Sequence, residues 1–179
     1  MALLNALTVL ASALLVVQNP RASEYQVKAV FLFNFVQFVD WPSPAVSDSQ
    51  RPPPLLIGIL GTDPFGPFLE EAVRGERLGA RPIQLRRYRA IADIGECNVL
   101  FISRSENERV PEILSVLKNR PVLTVSDGDA FADHGGMIQF VTDKNRIRLR
   151  INLEAAQAAN VTISSKLLRV AEIVRPPRR

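Results

Sequence analysis

The sequence predicts one three-layer α/β domain, a mixed but mostly parallel sheet with helices on both faces. Three observations predict it. The short apolar runs "LLIGIL", "CNVLFIS" and "PVLTVS" do not alternate and read as strands buried on both faces. Segments with helical spacing separate them, the pattern of βαβ crossovers. Near the end, "MIQFVTDKNRIRLRINL" alternates through a polar turn at 143–145, so a hairpin closes the sheet and makes it mixed.

Taken in order, "MALLNALTVLASALLVVQNPRAS" is apolar and uncharged up to Arg21. It reads as a secretory leader over residues 1–22, although it lacks a basic start and carries Pro20 near the small residue Ala22. The domain is expected over 23–175, with 176–179 a basic tail. Residues 24–40 read as a helix ended by Pro42 and Pro44. In "GTDPFGPFLEEAV" a turn leads into a helix, with Asp63 as N-cap and Pro64 at its first position. "RPIQLRRY" alternates and suits an outer strand. "ENERVPEILSVLKN" is a helix with Val110, Ile113, Leu114 and Leu117 on one face. "EAAQAAN" is a short helix, and "SSKLLRVAEIV" a final one capped by Ser164 or Ser165. The result is a compact fold of Rossmann-like or receiver-like type, which hosts many functions and settles none.

Composition narrows the field. Of 179 residues, 47% are hydrophobic and 22% charged, so the chain is globular rather than disordered. Without residues 1–22 the formal charge falls from +4 by the one unit of Arg21. Nucleic acid is not expected as a partner for an exported protein of so mild a charge. One histidine, His134, and one cysteine, Cys97, provide neither a metal cage nor an intramolecular disulfide. Cys97 opens an apolar strand, where burial raises a thiol's pKa and dulls it as a nucleophile. "HGG" at 134–136 lacks an accompanying G-x-S-x-G elbow and reads as a turn. "GTDPFG" has phosphate-loop spacing, but Pro67 and Phe68 replace the lysine and hydroxyl that would follow. Asp127, Asp129 and Asp133 share a loop without EF-hand spacing. No catalytic residue, metal or cofactor is expected.

What remains is surface. In "KAVFLFNFVQFVDWP", Val27, Phe31, Phe35, Phe38 and Trp41 share one side of the helix; Ala29, Leu32, Phe33, Val36 and Val39 cover most of the other. One side packs on the sheet, and the other has to meet more protein. The expected partner-facing residues are Leu32, Val36 and Val39, together with Ser164, Ser165, Lys166 and Arg169 on the last helix. Asn34 lies within the first stripe. It either ties the helix to a loop backbone or contacts a ligand or partner; Asn34, Trp41 and Pro42 are expected to be structural. A competing expectation is a small-ligand pocket at the carboxyl ends of the strands, formed by Gly61, Thr62, Asp63, Gly66, Ser103, Ser126 and Asp127.

"YQVKAVFLFNFVQFVDWP" resembles the opening signature of the YfiR-like family. The likeness continues through "IGILGTDPFG", "CNVLFIS", "RPVLTVSDGDAFADHGGMIQFV", "RIRLRINLEAA" and "ISSKLLRVA", from about Tyr25 to Ala171. The resemblance implies an exported, non-enzymatic α/β protein. It would bind the periplasmic part of an inner-membrane diguanylate cyclase, or a related sensor, and hold it inactive, with a homodimer expected. The alternative is a periplasmic small-ligand sensor or carrier. Relatives often carry a cysteine at the position of Gly58 paired with one at Cys97, and some a second pair at the positions of Ala132 and Gln139. This chain keeps only Cys97. No disulfide or redox-sensing role is therefore expected, and reductant alone should leave the melting temperature unchanged.

Overall fold

A computed structural model describes residues 20–42, 52–144 and 146–175. Most of the expected leader, 1–19, and the tail 176–179 lie outside the described residues. So does Pro44.

Helix α1 spans Pro20–Phe38 and runs into a two-residue strand β1, Val39–Asp40. Strand β2, Leu55–Leu60, is buried along its whole length, as its unbroken apolar run requires. Helix α2, Pro67–Val73, returns the chain through β3, Arg77–Leu78, to β4, Arg81–Tyr88. A single 3₁₀ turn at Ile91–Asp93 precedes β5, Val99–Ile102. A 3₁₀ segment, Arg104–Arg109, opens α3, Val110–Val116, with Pro111 in its first turn, where a missing N–H costs nothing. Strands β6, Leu123–Ser126, β7, Ile138–Asp143, and β8, Arg146–Asn152, follow. Helix α4 is Leu153–Ala158; Asn152 caps it by accepting the Ala155 N–H at 3.0 Å. Strand β9, Thr162–Ile163, helix α5, Ser165–Leu168, and strand β10, Ala171–Val174, complete the chain.

The large sheet has the order β10-β8-β7-β6-β5-β2-β4-β3. Strands β4, β2, β5, β6 and β7 are mutually parallel. Within them β2 lies between β4 and β5, the strand order of receiver-like doubly wound sheets, with its switch point between β2 and β5. The hairpin adds β8 antiparallel to β7, as expected. The larger core lies under α1, α2 and α4, with Leu32, Phe35, Ile57, Phe101, Val125 and Phe140 at its centre. On the other face α3 and the loop after β6 cover Leu100, Ile102, Ile113 and Phe131. The three-layer α/β fold is therefore as the sequence predicts.

Residues 39–40 form β1 rather than the end of the first helix, the opening of the helix expected over "ENERVPEILSVLKN" is 3₁₀, and two further elements differ more. The final segment is a single helical turn, α5, followed by β10, which pairs parallel with β8 from Ala171↔Leu149 to Val174↔Asn152. The open edge of β8 offers a ladder that a short helix could not match, and Ile173 and Val174 suit it. Helix α2 begins at Pro67 rather than Pro64. Asp63 instead closes a local turn, accepting the Phe65 N–H at 2.7 Å.

Candidate functional site

The first helix presents the opposite face from the one expected. Ala29, Leu32, Phe35, Val36 and Val39 are buried, whereas Val27 and Val30 remain 44% and 49% exposed. Leu32, Val36 and Val39 are thus core residues and offer nothing to a partner. Asn34 is half-buried beside Phe31 and Phe38, at the rim of α1 rather than in its centre. Both stripes are apolar, so hydrophobicity alone does not choose between them. A ring contact and a charge do. In the observed rotation Phe35 stacks on Phe140 at 5.8 Å between centroids, and Lys28 reaches Asp127 at 2.7 Å. At its carboxyl end, Val39 pairs with Ile163 in the β1–β9 ladder, and Trp41 Nε1 donates to the Asn98 carbonyl at 3.2 Å. Pro42 is exposed.

Lys28 is fully buried. Its ammonium lies 2.7 Å from Asp127 Oδ2 and 2.5 Å from Glu24 Oε1, and 4.5 Å from the centre of the Tyr25 ring. Tyr25 donates to the same Asp127 oxygen at 2.7 Å. Burial, reinforced by Asp127, pushes the Tyr25 phenol well above its ordinary pKa, so it remains a donor. For Glu24, burial favours the neutral acid, but hydrogen bonds from Lys28 and Thr142 and the ammonium charge outweigh it and lower the pKa. Arg104 donates to the Asp127 carbonyl at 3.0 Å and stands 3.5 Å from its Oδ1, which makes no hydrogen bond. This cluster pins the amino end of α1 over the carboxyl end of β6.

Most of the residues expected to form a small-ligand pocket at this end are engaged by the chain itself. Gly61 takes φ +88°, and Ser105 Oγ and the Glu106 side chain fill the space a Cβ would need. Ser105 Oγ also accepts the Thr62 N–H at 3.0 Å. Asp63 bonds Arg87, and Gly66 caps α2 with φ +53°. Ser103 Oγ accepts the Ser105 N–H. Ser126 is fully buried, donating to the Ile102 carbonyl at 2.7 Å and accepting the Gly128 N–H at 3.0 Å. Asp127 belongs to Lys28. Of these seven, Ser103, Ser126 and Asp127 are buried and bonded within the chain, Ser105 and Glu106 close over Gly61, and Thr62 and Gly66 remain exposed.

The neighbouring loop is likewise internal. Asp133 bonds Arg150 at 2.7 Å, and that guanidinium holds its carboxyl below the usual range. His134–Gly136 is a turn, with the His134 N–H on the Ala130 carbonyl at 2.9 Å. Among the described residues no group of His, Cys, Asp and Glu is placed to hold a metal ion. Cys97 is buried and unpaired; desolvation, partly opposed by a hydrogen bond from the Gly58 backbone, pushes its thiol up to about 11. A Cβ on Gly58 would stand 2.9 Å from Cys97 Sγ, so the two positions face each other across β2 and β5.

The last helix is placed by α1. The Ser164 N–H donates to the Phe38 carbonyl at 2.8 Å, and its hydroxyl caps α5 through the Lys166 N–H at 3.3 Å. Ser165, Lys166 and Arg169 are exposed, and Val170 is 70% exposed. Sequence reasoning missed Lys28 as a buried cation and Val27 and Val30 as the free face. The available signal was Lys28 at core spacing from Leu32, Phe35 and Val36, with Glu24 one turn before it.

The profile of the YfiR/HmsC-like family matches residues 25–172. The chain belongs to the YfiR/HmsC-like family. This family consists of periplasmic regulators of diguanylate cyclase rather than enzymes, so membership places the chain, in general terms, in cyclic-di-GMP signalling. No curated protein matches the chain significantly. No helix among the described residues of this YfiR/HmsC-like chain is long and apolar enough to cross a membrane.

Proposed function

We propose that this chain restrains a membrane-bound diguanylate cyclase, or a related sensor, by direct contact with that partner's exported domain. The observation that carries the reading is the outer face of α1. Val27 and Val30 stand exposed on a helix flanked by half-buried Phe31 and Phe38, and the chain's own fold leaves that strip uncovered among the described residues. Ser165 and Lys166 of α5, with Arg169 after it, are exposed beyond the carboxyl end of α1 and would extend the contact with polar groups. An interface of this kind regulates only through differential affinity: moving a cyclase from 1:99 to 99:1 requires about 5.5 kcal/mol more binding to the inactive state. Without its partner, the same face supports a homodimer.

The test is association between the purified chain and the exported domain of the cyclase, measured by calorimetry. Val30→Glu places a charge in the strip without entering the core. It is expected to weaken association by about 2 kcal/mol or more, with an unchanged circular dichroism spectrum and melting temperature. A folded Val30→Glu protein that binds as tightly as the parent refutes this surface.

A further inference from the structure

At the amino ends of the parallel strands, opposite the sealed Lys28 cluster, lies a cleft of about 400 Å³. Its walls are apolar: Trp41, Pro53, Leu56, Pro121 and Val122, with Cys97 between them. The size and lining are those of a small-molecule site. Two half-buried arginines, Arg81 and Arg120, line the same cleft.

Both guanidinium groups are held by backbone carbonyls. Arg81 donates from Nε to the Pro53 carbonyl at 2.8 Å and from Nη2 to the Pro54 carbonyl at 3.3 Å. Arg120 donates from Nη1 to the Ile94 carbonyl at 3.2 Å and from Nη2 to the Gly95 carbonyl. Neutral carbonyls orient each fork, and among the described residues no carboxylate compensates its charge or takes the rest of its five N–H donors. Arg77, which also holds a carbonyl, is exposed to solvent where Arg81 and Arg120 are half-buried, and Arg87, Arg104, Arg109, Arg148 and Arg150 each meet a carboxylate instead. Among the described residues neither Arg81 nor Arg120 does; Glu96, exposed at the rim, forms no ion pair with them. The burial of Arg81 lowers its pKa, the expected sign for a cation desolvated without a counter-ion.

We propose that this cleft binds a small monocarboxylate with a compact apolar body. The carboxylate would take the remaining guanidinium N–H groups as charge-assisted hydrogen bonds, and the body would lie against Trp41, Leu56 and Val122. This site is independent of the outer face of α1 and stands or falls without it.

Trp41 is the chain's single tryptophan, so its fluorescence reports the cleft directly. The probe is cyclohexanecarboxylate, which is optically silent, titrated into the full chain beside its carboxamide and beside inorganic phosphate. The expected result is a saturable change with the acid, and at least about tenfold weaker binding of both the carboxamide and phosphate. Arg120→Gln should weaken the acid by a similar factor. Equal affinity for acid and carboxamide overturns the proposal, as does no saturable change with the acid. Phosphate binding as tightly as the acid means an anion site without an apolar wall, and also overturns it. Should Arg120→Gln fail to fold, the acid–carboxamide comparison on the parent chain decides.

Discussion

The two ends of the parallel sheet are finished in opposite ways. At the carboxyl ends, where doubly wound folds usually keep their ligand crevice, the chain fills its own space. Lys28 descends from α1 onto Asp127, Tyr25 shares that carboxylate, and Ser105 closes over Gly61. At the amino ends lies the cleft beneath Trp41, whose arginines hold only carbonyls among the described residues. One helix causes both outcomes. It runs antiparallel to the strands it covers, so its first turns plug one end and the residue after β1 walls the other. A conventional strand order therefore does not fix where a doubly wound domain keeps its free volume; the partner of a single buried lysine does.

Breaking the sealed end should cost most. Lys28→Ala leaves Asp127 buried without its ammonium, and a loss of about 3–5 kcal/mol is expected in urea unfolding. Arg120→Gln at the cleft end should stay within about 1 kcal/mol of the parent, since its bonds are to carbonyls near solvent. Equal losses at the two ends would erase the contrast.

The next effect concerns a covalent tie beneath the cleft. Gly58→Cys places a second sulfur against Cys97, although the added Cβ, 2.6 Å from a Tyr88 ring carbon, requires that ring to shift. The oxidised variant is expected to exceed its own reduced form by about 2–4 kcal/mol, while the parent's melting temperature does not respond to reductant. Mass spectrometry showing two free thiols after oxidation would mean that the positions do not face each other.

The smallest effect is acid sensitivity at the sealed end. Glu24 has a folded pKa below its ordinary value of 4.5, so its contribution is complete above that pH. It is lost as pH falls through the folded value. Glu24→Gln should flatten this part of the pH–stability curve by less than about 1 kcal/mol, given the group's partial exposure. An unchanged acid limb would assign the sensitivity elsewhere.

Much of this architecture was legible in the chain. The unbroken runs of β2, β5 and β6 and the alternation of Ile147, Leu149 and Ile151 have few other structural readings. The rotation of α1 was not legible, because both its stripes are apolar and periodicity cannot rank them. What ranks them is Lys28, and a lysine at core spacing looks like a flank residue until an acid from a distant loop is found beneath it. The final strand was hidden for a related reason. "SSKLLRVAEIV" has a helical start and cap, and only the open edge of β8, brought there by the hairpin, turns its second half into a strand. The Arg81–Arg120 cleft carries no local signature, since its two arginines and its tryptophan come from three separate segments.

The two-rung ladder joining Val39–Asp40 to Thr162–Ile163 has a consequence in time rather than in space. Helix α1 is fastened by β9, a strand far along the chain from it, so its docking waits until that segment has been made and brought back. Closing so long a loop is slow, and during that wait the oily flanks of α1 lie bare.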